Sequence, residues 1–309
     1  MQNLQTVSRE TLRSPHIALE PQAFDLEVAE HWILQQAKAL TADHFRLTSC
    51  WYIDFIIQHL PTDRKTRYTA RLAQAENYGV AFSLASALAD PDRRLALQED
   101  DHALVGEDSR ALLKDRRYRS DMGRTALIDV VAGHLTDEPS KLVTVDQKRR
   151  DKYAAKSRLF ADETELVLRR KGSRAIKAST PRIHVIGAMA GTHAALLGRG
   201  FEVTAADMSP DVVGHDLGGV IVCEDSENNK LIEAADLVIM TGMTFPNRTL
   251  PKLTELAKAN NTSTMIWAVT GRNLGRYYVT HGIDCVISDP APFLSLPGSA
   301  TIGIWRRED

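Results

Sequence analysis

The stretch from Arg182 to Pro210 constrains the fold of this 309-residue chain more than any other. Ile183 to Ile186 are a short apolar run, and Gly187 to Gly191 make a tight turn. His193 to Leu197 open a helix that Gly198 and Gly200 end. Phe201 to Ala205 form a second strand, with Asp207 at its carboxyl end. Strand, glycine turn, helix, strand and acid make the first half of a nucleotide-binding α/β unit. In such units an acid about twenty residues after the first glycine holds ribose hydroxyls.

The glycine spacing discriminates between ligands. A dinucleotide fingerprint needs a second glycine where backbone approaches a pyrophosphate. Met189 occupies that position, so a ligand with ribose and adenine but no phosphate is expected. The turn, together with Val203-Thr-Ala-Ala-Asp-Met-Ser-Pro210, resembles class I S-adenosylmethionine (SAM)-dependent methyltransferases. Their first motif ends in a G-x-x-x-G-like turn, and their second strand often ends in D-x-S-P. His184 departs from the acid often found before the glycines. The resemblance implies SAM contacts from Gly187, Ala188, Met189, Gly191, Asp207, Met208 and Ser209.

The two halves of the chain differ in texture. Up to about Gly172 it reads helical: around Trp32, over His44 to Leu60, over Thr62 to Ala89, over Ser109 to Leu135 with a break at Gly123, and over Val145 to Arg170. Arg169 to Arg174, a basic run, read as a solvated linker. Beyond Thr180, apolar runs alternate with helical stretches: Gly219–Cys223, Asp236–Thr241, Ser263–Val269, Asp284–Ser288 and Thr301–Trp305. Such alternation implies a parallel sheet covered on both faces. The expected fold is therefore α/β: an all-helical domain over residues 1–175 covering the site, then a doubly wound, mostly parallel Rossmann-like sheet over residues 176–309.

Composition excludes some classes. A net charge of −2 argues against a nucleic-acid partner. Cys50, Cys223 and Cys285 are odd in number and far apart, which favours a reducing cytoplasm over a disulfide framework. No apolar run suits a bilayer, and no signal peptide is expected. The expected partner is a small-molecule substrate; oligomeric state is open, a homodimer included.

A second resemblance rests on Ala235-Asp-Leu-Val-Ile-Met-Thr-Gly-Met-Thr-Phe-Pro-Asn-Arg-Thr-Leu250 and Tyr278-Val-Thr-His-Gly-Ile-Asp284. These segments look like the heavy-metal-chelation domain of uncharacterised bacterial proteins. The likeness implies a ligand near Thr241 to Asn247, although the segment offers few metal-binding side chains.

In doubly wound sheets, ligands sit outside the carboxyl ends of the strands. Besides the glycine turn and Asp207, that edge would carry Glu224 and Asp225 near adenine. It would also carry Thr241, Gly242, Met243 and Thr244 near the methionine end, and Asn247. A sulfonium is held well over aromatic faces, and Tyr52, Asp54 and Tyr78 are the candidates from the first half. In size, architecture and aromatic-rich first domain the chain is similar to azetidine-2-carboxylate synthases. That likeness implies that the α-amine of SAM attacks its own γ-carbon and expels methylthioadenosine. Tyr52, Tyr78 or Asp54 would hold the sulfonium or take the proton, and Asn247 with the threonines would fix the amino-acid end. The alternatives are a small-molecule methyltransferase or nicotianamine synthase-like aminobutyryl transferase, a non-catalytic metal-chelate or ligand-binding protein, and an NAD-dependent oxidoreductase.

Overall fold

The computed structural model describes residues 21–58, 65–84, 104–115, 120–135, 138–145, 149–170, 180–289 and 299–308. Of the linker expected at Arg169 to Arg174, Arg169 and Arg170 instead end a helix, and the rest lies outside the described residues.

The first half is not all helical. Helix α1 (Leu26–Gln36) leads into an antiparallel meander of β1 (Ser49–Gln58), β2 (Lys65–Gln74) and β3 (Tyr78–Leu84), where two long helices were expected. Aromatic and β-branched residues fill β1, which suits a pleated strand. Both faces of the meander are covered, so its apolar residues do not alternate cleanly. Ala70, Leu72 and Val80 are buried on one face. Cys50, Ala73 and Ala81 join the main core on the other.

Short α2 (Ser109–Lys114) precedes α3 (Asp121–Ala132), which packs on that second face. Gly123 does not break α3. It sits in the first turn, where the Ser120 hydroxyl accepts its N–H at 3.1 Å. Gly79 lets β3 approach closely, since a Cβ there would lie 2.0 Å from the Ala126 carbonyl oxygen.

The large sheet has eight strands. β4 (Lys141–Val145) and α4 (Arg149–Arg170) precede β5 (Arg182–Ile186), α5 (Ala190–Gly198), β6 (Glu202–Asp207) and β7 (Val222–Glu224). Then come α6 (Asn228–Ala234), β8 (Leu237–Thr241), α7 (Leu250–Ala259), β9 (Ser263–Ala268), α8 (Gly275–Thr280), β10 (Cys285–Ser288) and β11 (Ala300–Arg306). Their order is β4-β11-β10-β9-β8-β5-β6-β7, with β5 to β10 parallel and β11 antiparallel to both neighbours. Counted from β5, the parallel strands run 3-2-1-4-5-6, the crossover arrangement of doubly wound sheets. β4 lies before residue 176 yet pairs with β11, so the sheet layer reaches into the half expected to be an all-helical domain.

Each face of the sheet has its own core. Val185, Ile239 and Ile287 pack with Phe160 of α4. Val238, Met240 and Val286 pack with Leu253 and Tyr278, and this cluster runs on into Phe45 and Ile128 of the first half. The meander layer and the sheet thus share one continuous core, which fixes the position of the first over the carboxyl edge of the second.

Candidate functional site

The carboxyl ends of β5, β6 and β8 assemble much of the expected site. Gly187 has φ +102°, a left-handed conformation that favours glycine. A Cβ there would lie 2.4 Å from Thr241 Cγ2, so the ends of β5 and β8 are in close contact. Asp207 bridges two strand ends: its carboxylate accepts the Ala188 N–H and the Ser209 N–H, each at 2.7 Å. The acid therefore holds the glycine turn, and it stays half-buried at the carboxyl edge where doubly wound sheets place their ligand crevice. Ser209 is buried, whereas Met208 is 52% exposed and touches Asn247, whose amide lies 3.6 Å from its sulfur. Asn247 also accepts from the Thr249 N–H and hydroxyl.

Met189 corrects one expectation. Its side chain is buried in the core on the α4 face and does not fill the space above the turn. The reason is its position just before α5, where the chain turns inward and His193 braces it. Burial lowers the pKa of His193 and keeps the ring neutral. Nδ1 then donates to the Leu217 carbonyl at 2.8 Å, and Nε2 faces the Met189 N–H at 3.4 Å. His184, which replaces the expected acid, is likewise a buried structural group, with 3.0 Å to Thr204 Oγ1 and 2.9 Å to Asn228 Oδ1.

The remaining sheet residues fall in two groups. Gly191 packs against Ser157 of α4, where a Cβ would lie 2.7 Å from the hydroxyl. Gly242 lies against the Thr270 carbonyl, and the buried Thr244 hydroxyl donates to the Thr241 carbonyl at 2.7 Å. Thr241 and Met243 are half-buried beside them. Glu224 and Asp225, by contrast, are exposed at the end of β7.

The two candidate tyrosines do not share a face. Strand alternation puts Tyr52 on the meander face that packs against α3, and Tyr78 on the other; the Asp54 side chain lies outside what the structure describes. The Arg71 guanidinium sits 4.3 Å over the Tyr52 ring and takes the π face proposed for a sulfonium. Tyr78 stands edge-on to Trp51 at 6.2 Å. The meander tyrosine that feels the charge of the acid is Tyr68. Burial raises its pKa, and the charges of Asp207 and Asp211 push the same way. The meander is tied down at β3, where the Phe82 N–H donates to Thr270 Oγ1 at 2.9 Å and the Gly271 N–H to the Val80 carbonyl at 3.0 Å.

Sequence reasoning missed a buried ion pair on the same edge. Lys156 of α4 meets Asp289, just beyond β10, at 3.0 Å, with side chains 8% and 1% exposed. The indole N–H of Trp267 donates to the same carboxylate oxygen at 3.1 Å, and the ammonium lies 4.3 Å over the Trp267 ring. An acid directly after an apolar strand was the available signal. Nothing in the local pattern pointed to a lysine 133 positions away.

Residues 175–270 match the DUF364 family, whose description is "Putative heavy-metal chelation". No curated protein matches the chain. A solved structure of a DUF364-family protein of unknown function from Pyrococcus horikoshii is 12% identical, with 92% of this chain and 99% of that one covered and a TM-score of 0.52. A second, from Desulfitobacterium hafniense DCB-2, is 13% identical over 90% of this chain and 98% of that one, with a TM-score of 0.49. The first likeness supports the arrangement of meander and sheet. Among the described residues, no group of three or more His, Cys, Asp or Glu side chains is placed to hold a metal ion. No described helix is long and apolar enough to cross a membrane.

Proposed function

We propose that the chain is an enzyme that binds a ribose-bearing ligand, SAM first among them, over the Gly187 turn beside Asp207. One observation carries this reading. Asp207 is fixed at the carboxyl end of β6 by two backbone N–H donors, next to a turn that only a residue with positive φ can make. An acid fixed at this strand end, beside a glycine turn, is the group that holds a ribose diol in nucleotide-binding α/β units. Gly187, Ala188, Met208 and Asn247 surround it. Met189 contributes its backbone only, and its buried side chain removes the argument against a phosphate.

The chemistry we favour is group transfer from SAM. Lys156 and Asp289 supply ionisable groups at the same sheet edge. Closure of the aminobutyryl arm to azetidine-2-carboxylate needs a cation-holding cage. With Arg71 over Tyr52, methyl or aminobutyryl transfer to an acceptor is the better-supported form. A directly ligated metal does not fit the described residues, and no step is routed through one.

The test is calorimetric titration with SAM, NAD and a divalent metal, followed by mass spectrometry of protein incubated with SAM. SAM binding that weakens at least tenfold in Asp207→Ala supports the proposal, since a charge-assisted hydrogen bond contributes about 1.5–3 kcal/mol. Binding of metal or NAD without SAM overturns it. Methylthioadenosine, adenosylhomocysteine and azetidine-2-carboxylate distinguish the chemistries.

A further inference from the structure

A cavity of about 290 Å³ opens where the first half meets the far end of the sheet. It lies at β10 and β11, with β8 and β9 between it and β5, so it is separate from the Gly187 crevice. Its walls are Trp32 of α1, Tyr277 of α8 and Trp305 of β11, with Arg272 and Arg276 among the lining.

Three features indicate what it would take. First, the walls are aromatic. Trp32 and Tyr277 lie 5.3 Å apart at 60°; Tyr277 is wholly buried behind Trp32, its hydroxyl bonded to the Ala23 carbonyl, so the half-buried rings of Trp32 and Trp305 are the ones that face the cavity. Second, the charge is one-sided. Two guanidiniums line the cavity, and no aspartate or glutamate does so among the described residues. Arg272 is half-buried and makes no ion pair among the described residues; its nearby acid, Asp129, is bonded to backbone N–H groups instead. A half-buried guanidinium is suited to bidentate recognition of a carboxylate. Third, the volume is at the lower end of small-molecule sites, which start at roughly 300 Å³. That suits one or two fused rings and not a nucleotide.

We infer that this cavity is a second small-molecule site, selective for a planar aromatic carboxylate, with the ring against Trp32 and Trp305 and the carboxylate on Arg272. The inference does not depend on SAM binding at the Gly187 crevice, because the two sites share no residue.

The probe is benzoate, with benzamide as its neutral isostere, titrated into the full chain and followed by saturation-transfer NMR and calorimetry. Benzoate should bind the wild type at least tenfold more tightly than benzamide. Arg272→Gln should erase that preference while leaving the thermal melt close to wild type. Gly303→Val should abolish binding of both probes by filling the cavity. Room exists at the Cβ itself, where the nearest atoms lie at 3.6 Å. Equal binding of benzoate and benzamide to the wild type, no binding of either, or an unchanged preference in a folded Arg272→Gln variant overturns the inference. The wild-type comparison decides the matter even if a variant fails to fold. SAM binding, measured in the same samples, should be unaffected by benzoate.

Discussion

Replacement of Asp129 by Asn should change the shape of the stability–pH curve, not only its height. Asp129 lies on α3 and is wholly buried. Its two oxygens accept the Val80 N–H at 2.9 Å and the Asn273 N–H at 2.7 Å, so it joins α3, β3 and the loop after β9. Burial pushes its pKa from 3.8 up to about 7, against the backbone bonds and the charge of Arg272, which pull it down. Below the unfolded value both states are protonated, and the group contributes no pH dependence. As pH rises above it, the unfolded chain releases a proton that the folded chain retains. Stability therefore falls from about pH 4 to about pH 7 and then levels. The gap, at about 1.36 kcal/mol per pH unit, is roughly 4 kcal/mol. The Asn side chain cannot ionise and lacks this slope. It offers one acceptor where two are used, and the orphaned N–H costs about 1–3 kcal/mol. The variant should thus be the less stable protein near pH 4 and equal or more stable near pH 8. Urea unfolding, followed by tryptophan fluorescence at several pH values, reads this directly. Parallel curves, with the variant lower throughout, would mean that Asp129 is ionised in the folded protein, and the reasoning fails.

Three further outcomes are expected. Gly187→Ala should lose about 1–3 kcal/mol, because alanine is strained at φ +102° and its Cβ meets Thr241; Thr241→Ser in the same chain should restore part, and no additivity failure in a double-mutant cycle would refute the contact. Lys156→Met should cost about 3–5 kcal/mol by leaving the Asp289 charge buried, and adding Asp289→Asn should recover much of it. Arg248 pairs with Glu27 and Asp121 at the surface, and its bond holds the Glu27 pKa down to about 2 from 4.5. That contribution is present above about pH 4.5 and is lost as pH falls through 2. Because the pairs are exposed, Arg248→Gln should cost only about 1 kcal/mol, and less in high salt, which denaturation at two ionic strengths would check.

What was legible in the sequence follows from how locally each feature is specified. Strands buried on both faces of a parallel sheet read as apolar runs, and Leu237–Met240 and Cys285–Ile287 do so without a break, with Ile183–Ile186 interrupted only by His184. Gly187 and Asp207 lie within one strand–helix–strand unit, so their place at neighbouring strand ends was written in their spacing, whereas the bond from the Ala188 N–H to Asp207 was not. The meander was not legible. Trp51, Ile53 and Phe55 alternate with Cys50, Tyr52 and Ile56, so apolar residues occupy both parities, and length alone then suggests a helix. That error moved the site residues, because a helix would have set Tyr52 and Tyr78 by turns, whereas the strands place them on opposite faces.

The same error hid what the first half does for the sheet. As an antiparallel meander it has an edge strand, β3, whose unpaired backbone groups invite other strands. Here the Phe82 N–H and the Val80 carbonyl bond to Thr270 and Gly271, the loop at the carboxyl end of β9. Asn273, three residues from Thr270, donates from its backbone to Asp129 and from its side chain to the Tyr78 carbonyl at 2.8 Å. Four contacts from one loop therefore fasten both α3 and β3 to the end of a parallel strand. A cover held this way is registered to the sheet edge at hydrogen-bond precision. That places Tyr68 close enough to Asp207 for the carboxylate charge to oppose its ionisation. It also leaves the aromatic cavity at the junction of α1, α8 and β11 as a consequence of docking, one that no stretch of the sequence encodes alone.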